Sequence, residues 1–191
     1  MLDRYKSCDD SALLTLIQQG DMQAFEALVE RHRQRAVGVA LKLVGDPDEA
    51  ADISQEAFIR VYRAVKRFDT QKEFFSWFYV ILSNLARNRL KKRKVRTKYA
   101  REQQADTESI LHSQTRGTPD TLMEADETKQ RVWAAIERLP FNFREIIILR
   151  HFEDLSYDEI AKLLNIPIGS VMSRLYYARL KLKDILGSDD G

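Results

Sequence analysis

Between Pro47 and Gly117 the chain has neither glycine nor proline. A stretch that long, with apolar side chains three and four residues apart, constrains the chain to long amphipathic helices. The four prolines (Pro47, Pro119, Pro140 and Pro167) fall between apolar-periodic segments. Alternating β-branched residues are nearly absent, so the expected fold is all-α.

Local signals place the helix ends. A first helix runs from about Asp10 to Gln19, with Gly20 as its left-handed stop. Asp21 caps a second, whose stripe is Phe25, Leu28, Val29, His32, Val39 and Leu43. In Gly45-Asp46-Pro47 a stop, a cap and a first-turn proline follow one another, with Asp48 and Glu49 in the positive first turn. The third helix presents Ile53, Ala57, Phe58, Val61 and Val65 and ends near Phe68. A fourth runs from about Phe74 to beyond Arg89.

From Lys98 to Thr118 the stripe is lost, and a polar segment reads as a linker. Thr118-Pro119 then opens a new helix carrying Leu122, Val132, Ile136 and Leu139, and another follows from Phe143 to His151. The expectation is two small helical domains, residues 1–98 and 118–191, joined by a flexible polar linker at 99–117.

The segment LSYDEIAKLL, residues 155–164, carries a strong helix start. Ser156 and Glu159 are spaced as a capping box, and Leu155 and Ile160 as a hydrophobic staple. Asn165 tolerates the left-handed turn that ends this short helix. Ile166 to Gly169 connect it to a second helix from about Ser170 to Ile185, with Val171, Leu175, Ala178 and Leu182 as its buried face. The other face shows Ser170, Met172, Ser173, Arg174, Tyr177 and Lys181. A short capped helix, a tight turn and a polar second helix form a helix-turn-helix, whose second helix fits a DNA major groove. An ordinary helical hairpin shares the capping pattern. Hydroxyls, an arginine and a tyrosine on the exposed face favour the DNA reading over that hairpin.

The balance of 31 basic against 29 acidic residues conceals a charge pattern. Residues 60–101 hold 14 basic and 2 acidic side chains, flanked by residues 1–59 with 6 and 11 and residues 102–130 with 2 and 7. Residues 131–191 hold 9 of each. Within the basic block, Phe74, Phe75, Trp77, Phe78 and Tyr79 fall within six residues. A helix buries about half its circumference, so some of these rings face outward. Phe74, Phe78 and Ile81 suit a core. Phe75 and Trp77 are expected to stack on unpaired bases. Arg87, Arg89, Lys91 and the cations through Lys98 suit a phosphate backbone, and Asn84 a base edge. On the third helix Asp52, Gln55, Glu56, Phe58 and Tyr62 read either as a solvated face or as a docking surface for a basic protein.

Several function classes fall away. A single cysteine, Cys8, makes no internal disulfide, and three isolated histidines give no metal spacing. There is no glycine-rich phosphate loop, GxSxG or HExxH. No enzyme, metal or cofactor is expected. Neither a membrane span nor a signal peptide is recognised, so the expected place is the cytoplasm.

These segments together resemble a bacterial sigma factor of the small two-domain type called extracytoplasmic function, from about residue 11 to 186. GDMQAFEALVERH is similar to the family's opening helix, DISQEAFIRVYRAV to its polymerase-docking segment, and FFSWFYVILSNLARNRLKK to its promoter-melting segment. LSYDEIAKLLNIPIGSVMSRLYYARLKL is similar to its terminal helix-turn-helix. The resemblance implies a protein that binds core RNA polymerase and reads promoter DNA, both duplex and melted single strand. It implies that Asp52, Gln55, Glu56, Phe58 and Tyr62 dock on the clamp of the largest subunit. Phe68, Lys72, Phe75, Ser76, Trp77 and Asn84, with Arg87 and Lys91 beyond them, would then handle the minus-ten element and capture a flipped base. Arg150 and Tyr157 match phosphate contacts. Ser170, Met172, Ser173, Arg174, Tyr177 and Arg179 lie where the family reads the minus-thirty-five element. The family commonly has a cation at Met172 and arginine at Tyr177, so this chain is expected to favour thymine-methyl contacts there. The acidic linker is similar to the family's connector, and an anti-sigma factor is an implied partner.

Two other readings stay open on sequence alone. An autonomous helix-turn-helix regulator would bind duplex DNA as a dimer, leaving residues 74–98 without a role. A nuclease would need clustered carboxylates in the basic block, where only Asp69 and Glu73 stand.

Overall fold

The structure, a computed structural model, describes residues 3–103 and 125–188. Among these residues every regular element is helical: α1 (Asp3–Lys6), α2 (Asp10–Gln18), α3 (Met22–Val44), α4 (Pro47–Ala64), a 3-10 turn (Val65–Arg67), α5 (Phe74–Gln103), α6 (Ala125–Arg138), α7 (Phe141–His151), α8 (Tyr157–Leu164) and α9 (Ile168–Ser188). The all-α expectation holds. α5 continues five residues past the expected domain boundary at 98. The rest of the expected linker, and the Thr118-Pro119 helix start, lie outside the described residues.

The caps form where the sequence puts them. Asp21 accepts from the Gln23 and Ala24 amides at 2.9 and 3.1 Å, and Asp46 from the Glu49 amide at 2.8 Å. Gly45 closes α3 in the left-handed conformation at φ 74°. Such local bonds set where α3 and α4 begin, and burial sets how they pack. Leu28, Val39 and Leu43 of α3 meet Ile53, Ala57 and Val61 of α4 and Phe78 and Leu82 of α5 in one core. α2 closes this core with Leu13, Leu14 and Ile17. The short α1 adds to the expected helices, and Tyr5 fastens it by donating to Asp21 at 2.9 Å.

In the second domain α6, α7 and α8 pack against α9, whose Val171, Leu175 and Ala178 are buried and Leu182 half-buried. The Ser156–Glu159 capping box is complete, and Asn165 turns left-handed at φ 50°. The two domains meet along α3, α5 and α7. Arg144 is buried at this seam, donating to the Leu43 carbonyl at 2.6 Å and also to the carbonyls of Glu137 and Leu139. One guanidinium thus satisfies orphan carbonyls at the ends of α3 and α6 together.

Candidate nucleic-acid and protein interfaces

Asp52, Gln55, Glu56, Phe58 and Tyr62 are all on α4, but they do not share one environment. Gln55 and Tyr62 are exposed. Asp52 faces Arg89 of α5 at 3.5 Å, and Glu56 pairs with Arg60 one turn on at 2.9 Å. Phe58 is buried against Phe78, with ring centroids 4.6 Å apart, so its expected exposure is corrected: its ring is mainly core. Gln55, Phe58 and Tyr62 line one side of an apolar groove of about 870 Å³, and Met22, Phe25 and Val29 of α3 line the other. Sequence periodicity put Phe25 and Val29 on a buried stripe. They are half-buried groove walls, a distinction one helix's period cannot make.

The loop before α5 is held by Gln18, whose amide donates to the carbonyls of Val65 and Phe68, both at 2.8 Å. Phe68 is thereby presented to Trp77. Glu73 caps the start of α5, accepting from the Ser76 amide at 2.9 Å and from the Ser76 hydroxyl. Phe68, Lys72, Ser76 and Trp77 then line a cleft of about 530 Å³, with Lys162 and Leu163 of α8 on its far side. Phe75 is corrected. It is 6% exposed, covered by the Arg35 guanidinium 3.4 Å from its ring centre and by His32, so it offers no free stacking face. The helix must bury part of its aromatic run, and α3 selects Phe75 for burial and leaves Trp77 half-exposed.

Further along α5, Asn84 and Lys91 are exposed as expected. Arg87 is engaged. It donates to Glu145 of α7 at 3.2 Å and lies over Phe141, 4.8 Å from the ring centre. Arg89 and Arg93 reach the carboxylate of Glu49 at 3.8 Å, so part of the basic run answers acids of α4.

On α9, Met172, Ser173, Tyr177 and Arg179 are exposed and Ser170 is half-buried. Ser173 donates back to the Ser170 carbonyl at 3.1 Å. Arg174 is half-buried, close enough to Glu145 for its charge to act there. Arg150 donates to the Leu155 carbonyl at 3.1 Å and lies over the Tyr157 ring, so it also braces the turn into α8. Arg179 comes within 3.5 Å of His151, whose imidazole is held down in pKa by burial first and then by the charges of Arg179 and Arg150. Two outward residues were missed. Tyr176 is 64% exposed, edge-on to Tyr177, and Leu180 is exposed below it. The stripe of Val171, Leu175 and Ala178 already contained this signal, since Gly169, Ser173, Tyr176 and Leu180 lie opposite it on the helix.

Among the described residues no three His, Cys, Asp or Glu side chains gather as metal ligands. No described helix is long and apolar enough to cross a membrane. The arrangement offers an apolar groove between α3 and α4, an aromatic and polar cleft at the head of a basic helix, and a helix-turn-helix.

Comparison with known proteins matches both halves. The Sigma-70 region 2 family matches residues 28–96, and Sigma-70, region 4 matches residues 129–182. The chain is 35% identical over 173 residues to the RNA polymerase sigma-H factor of Pseudomonas aeruginosa, covering 89% of this chain and 90% of that one. It is 32% identical to the ECF RNA polymerase sigma factor SigW of Bacillus subtilis, covering 87% and 91%. The fold resembles that of CnrH in its complex with the cytosolic domain of CnrY, with TM-score 0.66 at 23% identity over 94% of this chain and 98% of that one. It also resembles the sigma factor RpoE of Bartonella quintana in complex with the anti-sigma factor NepR, with TM-score 0.58 at 24% identity over 86% and 98%.

Proposed function

Because the chain belongs to the extracytoplasmic function RNA polymerase sigma factors, we propose that it is a transcription initiation factor that binds core RNA polymerase and directs it to particular promoters. The observation that carries this reading is one chain holding three separate surfaces. They are the groove between α3 and α4, the cleft at the head of α5, and the outer face of α9.

The groove takes the polymerase clamp. Gln55 and Tyr62 make its polar and aromatic rim, Phe58 its floor, and Asp52 and Glu56 its acidic flank. The cleft takes the melted minus-ten strand. Trp77, backed by Phe68, offers a ring to an unstacked base, and base–aromatic stacking is worth about 1–3 kcal/mol per base. Asn84 meets a base edge, and Lys72 and Lys91 meet phosphates. The helix-turn-helix takes the minus-thirty-five element as duplex in its major groove. There Met172 suits a thymine methyl, Ser173 and Tyr177 suit hydrogen-bonding edges, and Arg150, Tyr157 and Arg179 suit the backbone. Promoter opening is driven by binding, with no chemistry assigned to this chain, and it takes place where the polymerase works, in the cytoplasm. An anti-sigma factor is proposed as a further partner, since the structural relatives include sigma factors captured with theirs.

Run-off transcription with core polymerase over a genomic promoter library tests this function. Transcripts from a defined promoter set that depend on the added chain are expected. A chain that neither co-elutes with core polymerase nor changes its transcripts overturns the reading.

A further inference from the structure

We propose that His151 and Arg179 form one clamp for a phosphate of the upstream duplex, and that DNA binding there takes up a proton on His151. This deepens the sigma reading and rests on it, adding a contact residue and a pH dependence.

Arg150 and His151 are the last residues of α7, and Arg179 reaches them from α9. His151 and Arg179 are both exposed, with imidazole Nε2 and guanidinium Nη2 3.5 Å apart. Met172, Tyr176 and Arg179 follow one another at steps of four and three, so they share one face of α9. With Tyr157 of α8 they line a hollow of about 430 Å³. A recognition helix reads bases from its N-terminal turns. Arg179 stands about 10 Å along the axis beyond Met172, so it meets the phosphate edge of the groove and not its floor.

A guanidinium has only N–H donors, so the imidazole nitrogen facing it is an acceptor. In the free chain His151 is therefore neutral, with its proton on Nδ1. Burial first, then the charges of Arg179 and Arg150, hold its pKa below the usual 6.5, and the Asp154 carboxylate opposes them. The negative C-terminal end of α7 also favours a cation at this position. The ring is thus poised between two states. A proton on Nε2 sets two donors against each other, and one acceptor placed between them removes the conflict.

A phosphodiester of the duplex supplies that acceptor. Its oxygens accept from Nε2 of the protonated imidazole and from the guanidinium, and its charge favours the imidazolium. The pKa of His151 is then higher with DNA than without it. Between those two values binding takes up a proton, so affinity rises as pH falls through that window and levels off below it.

The test reads the imidazole by NMR in the full chain with labelled histidine, where His151→Gln identifies its signal among the three histidines. A short random-sequence duplex at saturation is expected to raise its pKa by about 1. Arg179→Ala is expected to raise it in the free chain, where a repelling charge is lost. The holoenzyme gives an independent measurement. The ratio of promoter-duplex affinities, unmutated chain over His151→Gln, is expected to grow about tenfold from about pH 8 to about pH 5.5. The two results must agree, since a pKa change of about 1 corresponds to a tenfold change in binding. An imidazole unmoved by duplex, one unmoved by Arg179→Ala, or an affinity ratio flat with pH overturns the clamp. If the holoenzyme with the unmutated chain shows no promoter preference, the sigma reading fails, and the imidazole titration still decides the clamp.

Discussion

Trp77 lies nearly flat against Phe68, ring centroids 4.2 Å apart and planes 18° from parallel, and this pair ties the head of α5 to the loop before it. One face of the indole is spent on Phe68, and the ring stays half-exposed in the cleft with Lys72 and Ser76.

Trp77→Ala therefore has two separable effects. Promoter melting, followed by permanganate reactivity of unpaired thymines, is expected to fall about tenfold or more while core-polymerase binding is unchanged, since a stacked base is worth about 1–3 kcal/mol. A double-mutant cycle with Phe68→Ala in urea unfolding is expected to give a coupling of about 0.5–1.5 kcal/mol. Equal loss of melting and polymerase binding would make Trp77 a core residue only.

Arg144→Met tests the seam at its other end. The substitution strips charged donors from the Leu43, Glu137 and Leu139 carbonyls. A hydrogen bond from a charged group contributes about 1.5–3 kcal/mol, and methionine retains most of the packing volume. Destabilisation of about 3 kcal/mol in urea unfolding is expected. Near-neutral behaviour would mean that water serves these carbonyls equally well.

Asp10 gives a pH signature. Burial alone would raise its carboxyl, but hydrogen bonds from His32 at 2.8 Å and Arg31 at 2.7 Å outweigh burial and hold it below its usual 3.8. A depressed folded value stabilises the protein above the unfolded pKa, and this contribution is lost as pH falls through the folded one. The stability difference between the native chain and Asp10→Asn is expected to be constant above about pH 5 and to shrink below about pH 4. A difference that grows on acidification would contradict the sign.

On the reading helix, Tyr176→Ala and Arg179→Ala are expected to differ in kind. Tyr176 stands on the outermost face and is expected to cost about 1–3 kcal/mol on the preferred upstream element and to alter base preference. Arg179 is expected to weaken all sequences alike and to lower the salt slope by about one phosphate contact. Binding isotherms over a salt series, with an upstream-element library, separate the two.

Much of the fold was legible because its decisive signals are short. Asp21, Asp46 and Ser156 each bond an amide two or three residues away, and Gly45 and Asn165 stop helices by their own backbone freedom. The recognition helix showed its buried stripe for the same reason, and Tyr176 was findable from that stripe. The candidate site was legible in its residue types and less so in their exposure. Phe75 and Trp77 are two steps apart in one aromatic run, and nothing local says which of them α3 will cover.

Bonds and periodicities spanning a few residues are enough to specify an all-α chain, its helix starts and stops, a capped helix-turn-helix and a basic aromatic helix. That Phe75 lies under Arg35, that Phe58 lines a groove and that Arg87 is held by Glu145 are outcomes of long-range packing. Those outcomes rest on contacts such as Arg87 with Glu145, 58 residues apart, and Arg35 with Glu153, 118 residues apart. Burial of charge is settled by whichever partner the packed chain brings near, and a local pattern has no access to that choice.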